Sequence, residues 1–222
     1  MNLLDQLISS LAPYECLGCG LEPDLLCAIC TTRLAVIPGR CYRCRKVSAG
    51  ALTCSACRKT SKLRRVQVGT IYEGAAKDLI WQLKLAGAQA AARTMATRLA
   101  PLVVSAPTDV LLIPVPTATS RVRQRGYDQA KLLARELARQ TKLLYGDYLA
   151  RHGQAHQHAT SRQERLTQLI HAFRVKRPSL TRGAHIMLVD DVITTGATLE
   201  AAATTLRAAG AHRVEAIVFA QP

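Results

Sequence analysis

Apolar and polar positions along the chain change their pattern near residue 66. From there, short apolar runs of strand type alternate with stretches whose apolar residues recur at helical spacing. VQVGTIY (66–72) reads as a strand, and Ala76, Leu79, Ile80 and Leu83 then mark one face of a helix. The pattern predicts a second helix over about 88–104, rich in alanine and leucine, and a buried strand over 110–115. A helix over about 128–140 follows, with Leu132, Leu133 and Leu137 on one face, then a weaker strand near 143–149. A strand over 185–189, a helix over 196–209 and a strand over 213–220 close the chain. Strands separated by helices imply an α/β fold with a mainly parallel sheet and right-handed crossovers. Ligands of such sheets sit beyond the carboxyl ends of the strands, where LIPVP and MLVDD both terminate.

Before residue 66 that pattern gives way to cysteine. All eight cysteines fall before residue 58, as four C-x-x-C pairs: Cys16/Cys19, Cys27/Cys30, Cys41/Cys44 and Cys54/Cys57. Each pair presents two sulfurs to one tetrahedral ion, so two pairs complete a closed four-cysteine zinc site, and the chain holds enough for two structural Zn²⁺. Disulfides, a redox C-x-x-C and an iron–sulfur cluster are the weaker alternatives. Sequential coordination joins the first two pairs and then the last two, and is preferred over a cross-brace that alternates them. With few aromatic residues in this stretch, the metals must supply much of its folding energy. The expected organisation is a small double zinc ribbon at 1–62 and an α/β domain at 63–222.

Charge narrows the partners. Thirty lysines and arginines stand against fifteen acids, a formal charge of +15 that two four-cysteine zinc centres would lower to about +11. An anionic ligand, a nucleotide or a nucleic acid, is expected. Aromatic residues make up only 4% of the chain, so a base-stacking platform would be thin and nucleic-acid contact would rest mainly on phosphates. No run reaches the ~20 apolar residues of a membrane helix, and MNLLDQLISS lacks the features of a secretory signal, so a cytoplasmic protein without membrane insertion is expected.

The most telling segment is MLVDDVITTGAT (187–198): an apolar strand, two aspartates, a small-residue loop and an Ala/Leu-rich helix. Backbone N–H groups at a helix N-terminus favour an anion. Thr194, Thr195 and Thr198 add hydroxyls, and Gly196 permits close approach of backbone. Asp190 and Asp191 would repel phosphate but suit the hydroxyls of a ribose. The segment thus reads as a cradle for a phosphorylated sugar. It resembles the signature of type I phosphoribosyltransferases, which bind 5-phosphoribosyl-1-pyrophosphate (PRPP) with Mg²⁺. That resemblance implies a type I sheet with helices on both faces, Asp190 and Asp191 at the ribose as the catalytic acids, and Val192, Thr194, Thr195, Gly196, Ala197 and Thr198 around the 5′-phosphate.

Two further stretches carry cations. IPVPTATSRVRQRGYDQA (113–130) sets Arg121, Arg123 and Arg125 beyond a turn fixed by Pro114 and Pro116, where forked guanidiniums suit a pyrophosphate. Residues 151–182 hold seven Lys/Arg against one acid, without clean periodicity, and read as a hood able to close over a ligand. The histidines in that stretch lack partners for a metal site, and no G-x-S-x-G elbow points to a hydrolase.

With YEGAAKDLIWQLKLAG, PVP…RQRGYDQA and QxxxSRQER, the chain from about Cys16 to Pro222 resembles the ComF family of bacterial competence and DNA-utilisation proteins, which carry zinc ribbons ahead of a phosphoribosyltransferase-like domain. The resemblance implies that Pro114 to Arg125 forms a pyrophosphate loop, through Pro116, Arg121 and Arg125, with Lys84 close to it. It also implies that Gln157, Arg162 and Arg165 contact anion or DNA. Where the family usually has Arg-Gly-Phe-Asn-Gln, this chain has Arg125, Gly126, Tyr127, Asp128 and Gln129, which replaces a donor by an acid. Expected partners are PRPP, single-stranded DNA on the basic surface, and DNA-uptake or helicase proteins. The residues leave two alternatives to an active transferase: a DNA-binding module and a PRPP-sensing regulator without turnover.

Overall fold

The structure, a computed structural model, describes residues 13–152 and 172–222. In chain order its elements are α1 (Ala28–Thr32), α2 (Ser55–Arg58), β1 (Val66–Ile71), α3 (Gly74–Lys84), α4 (Ala91–Leu99), β2 (Leu111–Pro114), α5 (Thr119–Arg125) and α6 (Gln129–Thr141). There follow β3 (Leu144–Tyr145), β4 (Leu149–Arg151), β5 (Phe173–Val175), α7 (Pro178–Thr181), β6 (His185–Val192), α8 (Ala197–Ala208) and β7 (Arg213–Gln221). Among the described residues no helix is long and apolar enough to cross a membrane.

Five strands form one parallel sheet in the order β1-β7-β6-β2-β3. Because side chains alternate along a strand, β6 feeds two cores at once. Met187 and Val189 pack with Leu79, Met95, Leu133 and Phe219 under α3, α4 and α6. Ile186 and Leu188 pack on the other face with Leu199, Ala202 and Leu206 of α8. Both faces are therefore covered, as a parallel sheet requires. The chain leaves β2 toward β3 at one edge and leaves β6 toward β7 on the opposite side, so the sheet's topological switch lies between the carboxyl ends of β2 and β6. At that point the two strands remain joined, with the Val115 N–H donating to the Val189 carbonyl at 2.9 Å.

Several sequence expectations shift. The helix expected over 88–104 is α4 followed by a tight 3-10 turn at Ala100–Val103, where Pro101 has no N–H to continue an α-helix. The weak strand near 143–149 divides: β3 joins the main sheet, whereas β4 pairs antiparallel with β5. The two ends of the expected hood are thus tied together by Leu149–Val175 and Arg151–Phe173 pairing. The motif strand runs on to Val192, because pairing of Asp190 with Val218 and Val192 with Ala220 carries it past its apolar run. The arginines expected beyond the proline turn lie on helix α5, within the stretch expected as a loop, and the helix is closed by Gly126 in the left-handed conformation (φ 80°).

Asp128 shows why an acid stands where the family usually has asparagine. It is the N-cap of α6, accepting from the N–H groups of Ala130 (3.0 Å) and Lys131 (3.3 Å). The same carboxylate accepts from the Thr117 N–H (3.1 Å) and Thr117 Oγ1 (3.0 Å), fastening the loop after β2 onto α6. Substitution Asp128→Ala is expected to cost about 1–2 kcal/mol in urea unfolding, with Asp128→Asn retaining most of the stability. An alanine variant as stable as the parent would contradict this role.

Candidate functional site

The end of β6 places Asp190 and Asp191 at the switch point. Asp191 is buried, at 4% exposure, and its Oδ1 accepts from the Val192 N–H at 2.8 Å. Its Oδ2 lies 2.6 Å from Nζ of Lys84, an ion pair without hydrogen-bond alignment, which leaves that oxygen with no aligned donor. Lys84, expected close to the loop from Pro114 to Arg125, is the last residue of α3 and pairs with Asp191. The hydroxyl of Tyr127 donates to the carbonyl of neighbouring Leu83, tying the end of α3 to the stretch after α5.

Asp190 accepts from the Asp191 N–H at 2.9 Å. Burial, and then the charge of Asp191, push its carboxyl well above the usual carboxylate range, against the pull of Lys84. With Asp190 holding its proton, the Asp191 carboxylate and the Lys84 ammonium form the charged pair of the crevice.

Beyond β6, Ile193 is buried and Thr194 and Thr195 are exposed, leading to Gly196 and α8. Gly196 is the N-cap in the left-handed conformation (φ 79°) and offers no side-chain cap, so the helix presents bare N–H groups at its start. Thr195 Oγ1 accepts from the Ala197 N–H at 3.4 Å. Gly196 also makes room for protein: a Cβ there would come within 2.7 Å of the Tyr42 ring, from the cysteine-rich segment. Val192, Ala197 and Thr198 are partly buried beside this loop.

Opposite, Pro114, Val115 and Pro116 are buried, which fixes the direction of the chain into α5. On that helix Arg121 is exposed, while Arg125 is turned toward α6 and donates to Gln129 Oε1 at 3.0 Å. Arg121 and Arg125 are one turn apart on one face and Arg123 is on another. Gln157, Arg162 and Arg165 lie outside the described residues.

One residue near the site was not singled out from the sequence. Arg151, at the end of β4, lies over the Phe173 ring at 5.6 Å, and its Nε is buried without a partner. Burial, followed by the like charge of Arg121, lowers its pKa, and Asp190 acts in the opposite sense. Arg151 is thus within the range of the charges of Arg121 and Asp190. Its only signal in the sequence was membership of a basic segment.

The cysteines form two groups, Cys16/Cys19/Cys27/Cys30 and Cys41/Cys44/Cys54/Cys57, with the ligand atoms of each within 4.8 Å of one another. The cysteines are thus grouped sequentially rather than in a cross-brace. The sulfurs of Cys19 and Cys27 are 3.9 Å apart and those of Cys44 and Cys54 are 3.6 Å apart. A tetrahedral ion with Zn–S bonds of about 2.3 Å requires an edge of about 3.8 Å, so both clusters fit zinc. Burial opposes ionisation of Cys16, but N–H groups of Cys27, Gly18 and Cys19 outweigh it and bring the thiol to about 6. Cys41 reaches about 6 in the same way, against burial, through Cys44, Cys54 and Arg43. Burial with neighbouring sulfurs holds Cys30 at about 12, and neighbouring sulfurs with burial hold Cys57 at about 12. A bound cation would reverse those last two.

Residues 122–222 match the phosphoribosyl transferase domain family. The chain is similar to the DNA utilization protein YhgH of Salmonella typhi, 28% identical over 201 residues that span 86% of this chain and 87% of that protein. It is equally similar, 28% over 200 residues, to the protein of that name from Escherichia coli K12, with the same coverage of 86% and 87%. The Escherichia coli O157:H7 protein of that name is 35% identical over 106 residues, 47% of this chain and 46% of its own. A solved structure titled "structure of the allosteric regulatory enzyme of purine biosynthesis" superposes with a TM-score of 0.41 at 21% identity, over 57% of this chain and 25% of that one.

The raised carboxyl of Asp190 has a measurable consequence. In an unfolded chain it would ionise near ~3.9. The folded state holds its proton to higher pH, so its contribution to stability is fully present below ~4 and is lost as pH rises through the folded value. Asp190→Asn keeps the oxygen that accepts from Asp191 and removes the charge. Melting temperatures should therefore rise relative to the parent, by a margin that grows between pH 5 and 9. A variant less stable than the parent at pH 9 would refute the assignment.

Proposed function

From a chain that belongs to the ComF-type proteins, with a phosphoribosyl transferase domain behind two four-cysteine clusters, we infer that the crevice between β2 and β6 binds PRPP together with Mg²⁺. The observation that carries this reading is the meeting of three elements at one switch point: the Asp190–Asp191 pair, the uncapped start of α8 behind Thr194 and Thr195, and the α5 arginines. Ribose hydroxyls donate to the aspartates. The 5′-phosphate takes the loop N–H groups and threonine hydroxyls. The pyrophosphate faces Arg121 and Arg151, and Mg²⁺ would neutralise it. Transfer of the phosphoribosyl group to an acceptor follows from the same arrangement, with positioning and charge as the protein's part. The acceptor and the base that would activate it have no counterpart among the described residues. In calorimetry with Mg²⁺, Asp191→Ala and Thr195→Ala should each weaken PRPP binding at least about tenfold, the scale of one lost charge-assisted hydrogen bond. Unchanged affinity in both variants would remove the pocket.

A second reading, binding of single-stranded DNA in DNA utilisation, is favoured by a separate feature. A cavity of about 760 Å³ opens at the amino ends of β1 and β7, the opposite end of the sheet from the aspartates. Arg58, Lys62, Arg64, Arg207, His212 and Arg213 line it, and no acid does. Arg58, Lys62 and Arg64 are exposed. With no aromatic residue in the lining, such a groove would hold phosphates and release them with salt. Charge reversal at Arg58 and Arg64 should abolish retardation of an oligo-dT strand at low salt while leaving PRPP affinity intact. Retardation that survives both reversals would place any DNA contact elsewhere.

A further inference from the structure

We propose that the second cysteine cluster sets the geometry of the loop at the start of α8, so that metal occupancy at Cys41, Cys44, Cys54 and Cys57 governs how well the crevice holds an anion. The link is Tyr42, between ligands Cys41 and Cys44 and only 4% exposed. Its ring fills the space behind Gly196, as the 2.7 Å approach of a notional Cβ shows. Its hydroxyl reaches the Glu200 carboxylate in the first turn of α8, and Ser61 Oγ at 2.9 Å.

The other half of the cluster grips the same carboxylate. Ser61 Oγ donates to Glu200 Oε2 at 2.9 Å, and the Lys62 N–H donates to Oε1. Ser61 is itself held to the cluster, its N–H donating to the Cys57 carbonyl at 3.1 Å. Two segments, one beginning at Cys41 and one following Cys57, therefore converge on one glutamate and one glycine of the loop. They are nineteen residues apart at the Tyr42–Ser61 contact. Metal coordination by all four sulfurs fixes their separation, because few apolar side chains are buried in this stretch to do so.

The consequence is a coupling between two sites. With the ion in place, the Tyr42 ring holds the Gly196 turn against the crevice and the first-turn N–H groups of α8 keep one direction. Without it, Tyr42 and Ser61 separate, Glu200 loses both donors, and the loop gains freedom that anion binding must then remove. By reciprocity, an anion seated in the loop must slow loss of the second ion. The first cluster packs elsewhere, with Leu26, Leu34 and Ala75, and shares none of these contacts.

The effect on anion binding rests on the PRPP reading, whereas the mechanical link does not, and the tests keep them apart. Cys44→Ser and Cys19→Ser each remove one exposed ligand, from the second and first cluster respectively. In the full-length protein, hydrogen exchange at amides 197–203 should accelerate at least about tenfold in Cys44→Ser and Tyr42→Ala, remain near the parent rate in Cys19→Ser, and stay within about threefold in Tyr42→Phe, which keeps the ring. PRPP affinity should follow the same order, and PRPP should slow chelator extraction of one of two zinc ions. Exchange at 197–203 that is indifferent to Cys44→Ser and Tyr42→Ala overturns the proposal. If exchange responds and the parent protein binds no PRPP, the link stands and the PRPP reading falls.

Discussion

Strand β6 is hydrogen-bonded along both edges, to β2 on one side and β7 on the other, and the rest of the molecule is arranged around that constraint. A strand paired on both edges and buried on both faces has no freedom of register. Its last residues, Asp190 to Val192, are therefore delivered to one place although they are not apolar. The same pairing fixes the end of β2 beside them, so that two buried prolines and the arginines of α5 face the acids. The two acids are thus placed by a sheet strand rather than by a loop.

The two ends of that sheet differ in their acids. At the carboxyl end, buried Asp191 and half-buried Asp190 lie beside one lysine, and Asp191 Oδ2 has no aligned donor among the described residues. At the amino end, Arg58, Lys62, Arg64 and Arg207 gather without an acid among them, and the buried Glu215 nearby is already committed to Arg65, Arg213 and His185. The net positive charge of the chain is thus distributed unevenly.

The cysteine-rich segment is more than an appendage. Tyr42 and Leu63 contribute to the core under α8, Leu25 joins the core under α3 and α4, and Arg98 of α4 donates to the carbonyls of Leu34 and Ala35. Because this segment shares both cores and touches the α8 loop, its folding is coupled to that of the α/β body.

The sequence by itself determined the parallel α/β body, the two four-cysteine clusters and the acid-loop-helix cradle. Each of these is written in local signals: hydrophobic period, C-x-x-C spacing, and the run MLVDDVITTGAT. Asp128 as an N-cap was legible too, as an acid directly before a helical pattern, although family habit obscured it. Tertiary structure alone decided that the arginines of 121–125 lie on a helix, that Lys84 pairs with Asp191, and that Gly196 makes room for Tyr42. It also decided that Arg151 lies within the range of the charge of Asp190 and that six distant basic residues share one groove. Most of these are contacts between residues far apart in the chain, as Lys84 is from Asp191 and Tyr42 from Gly196. No periodicity or spacing records them, because they exist only once the sheet has brought its strand ends together.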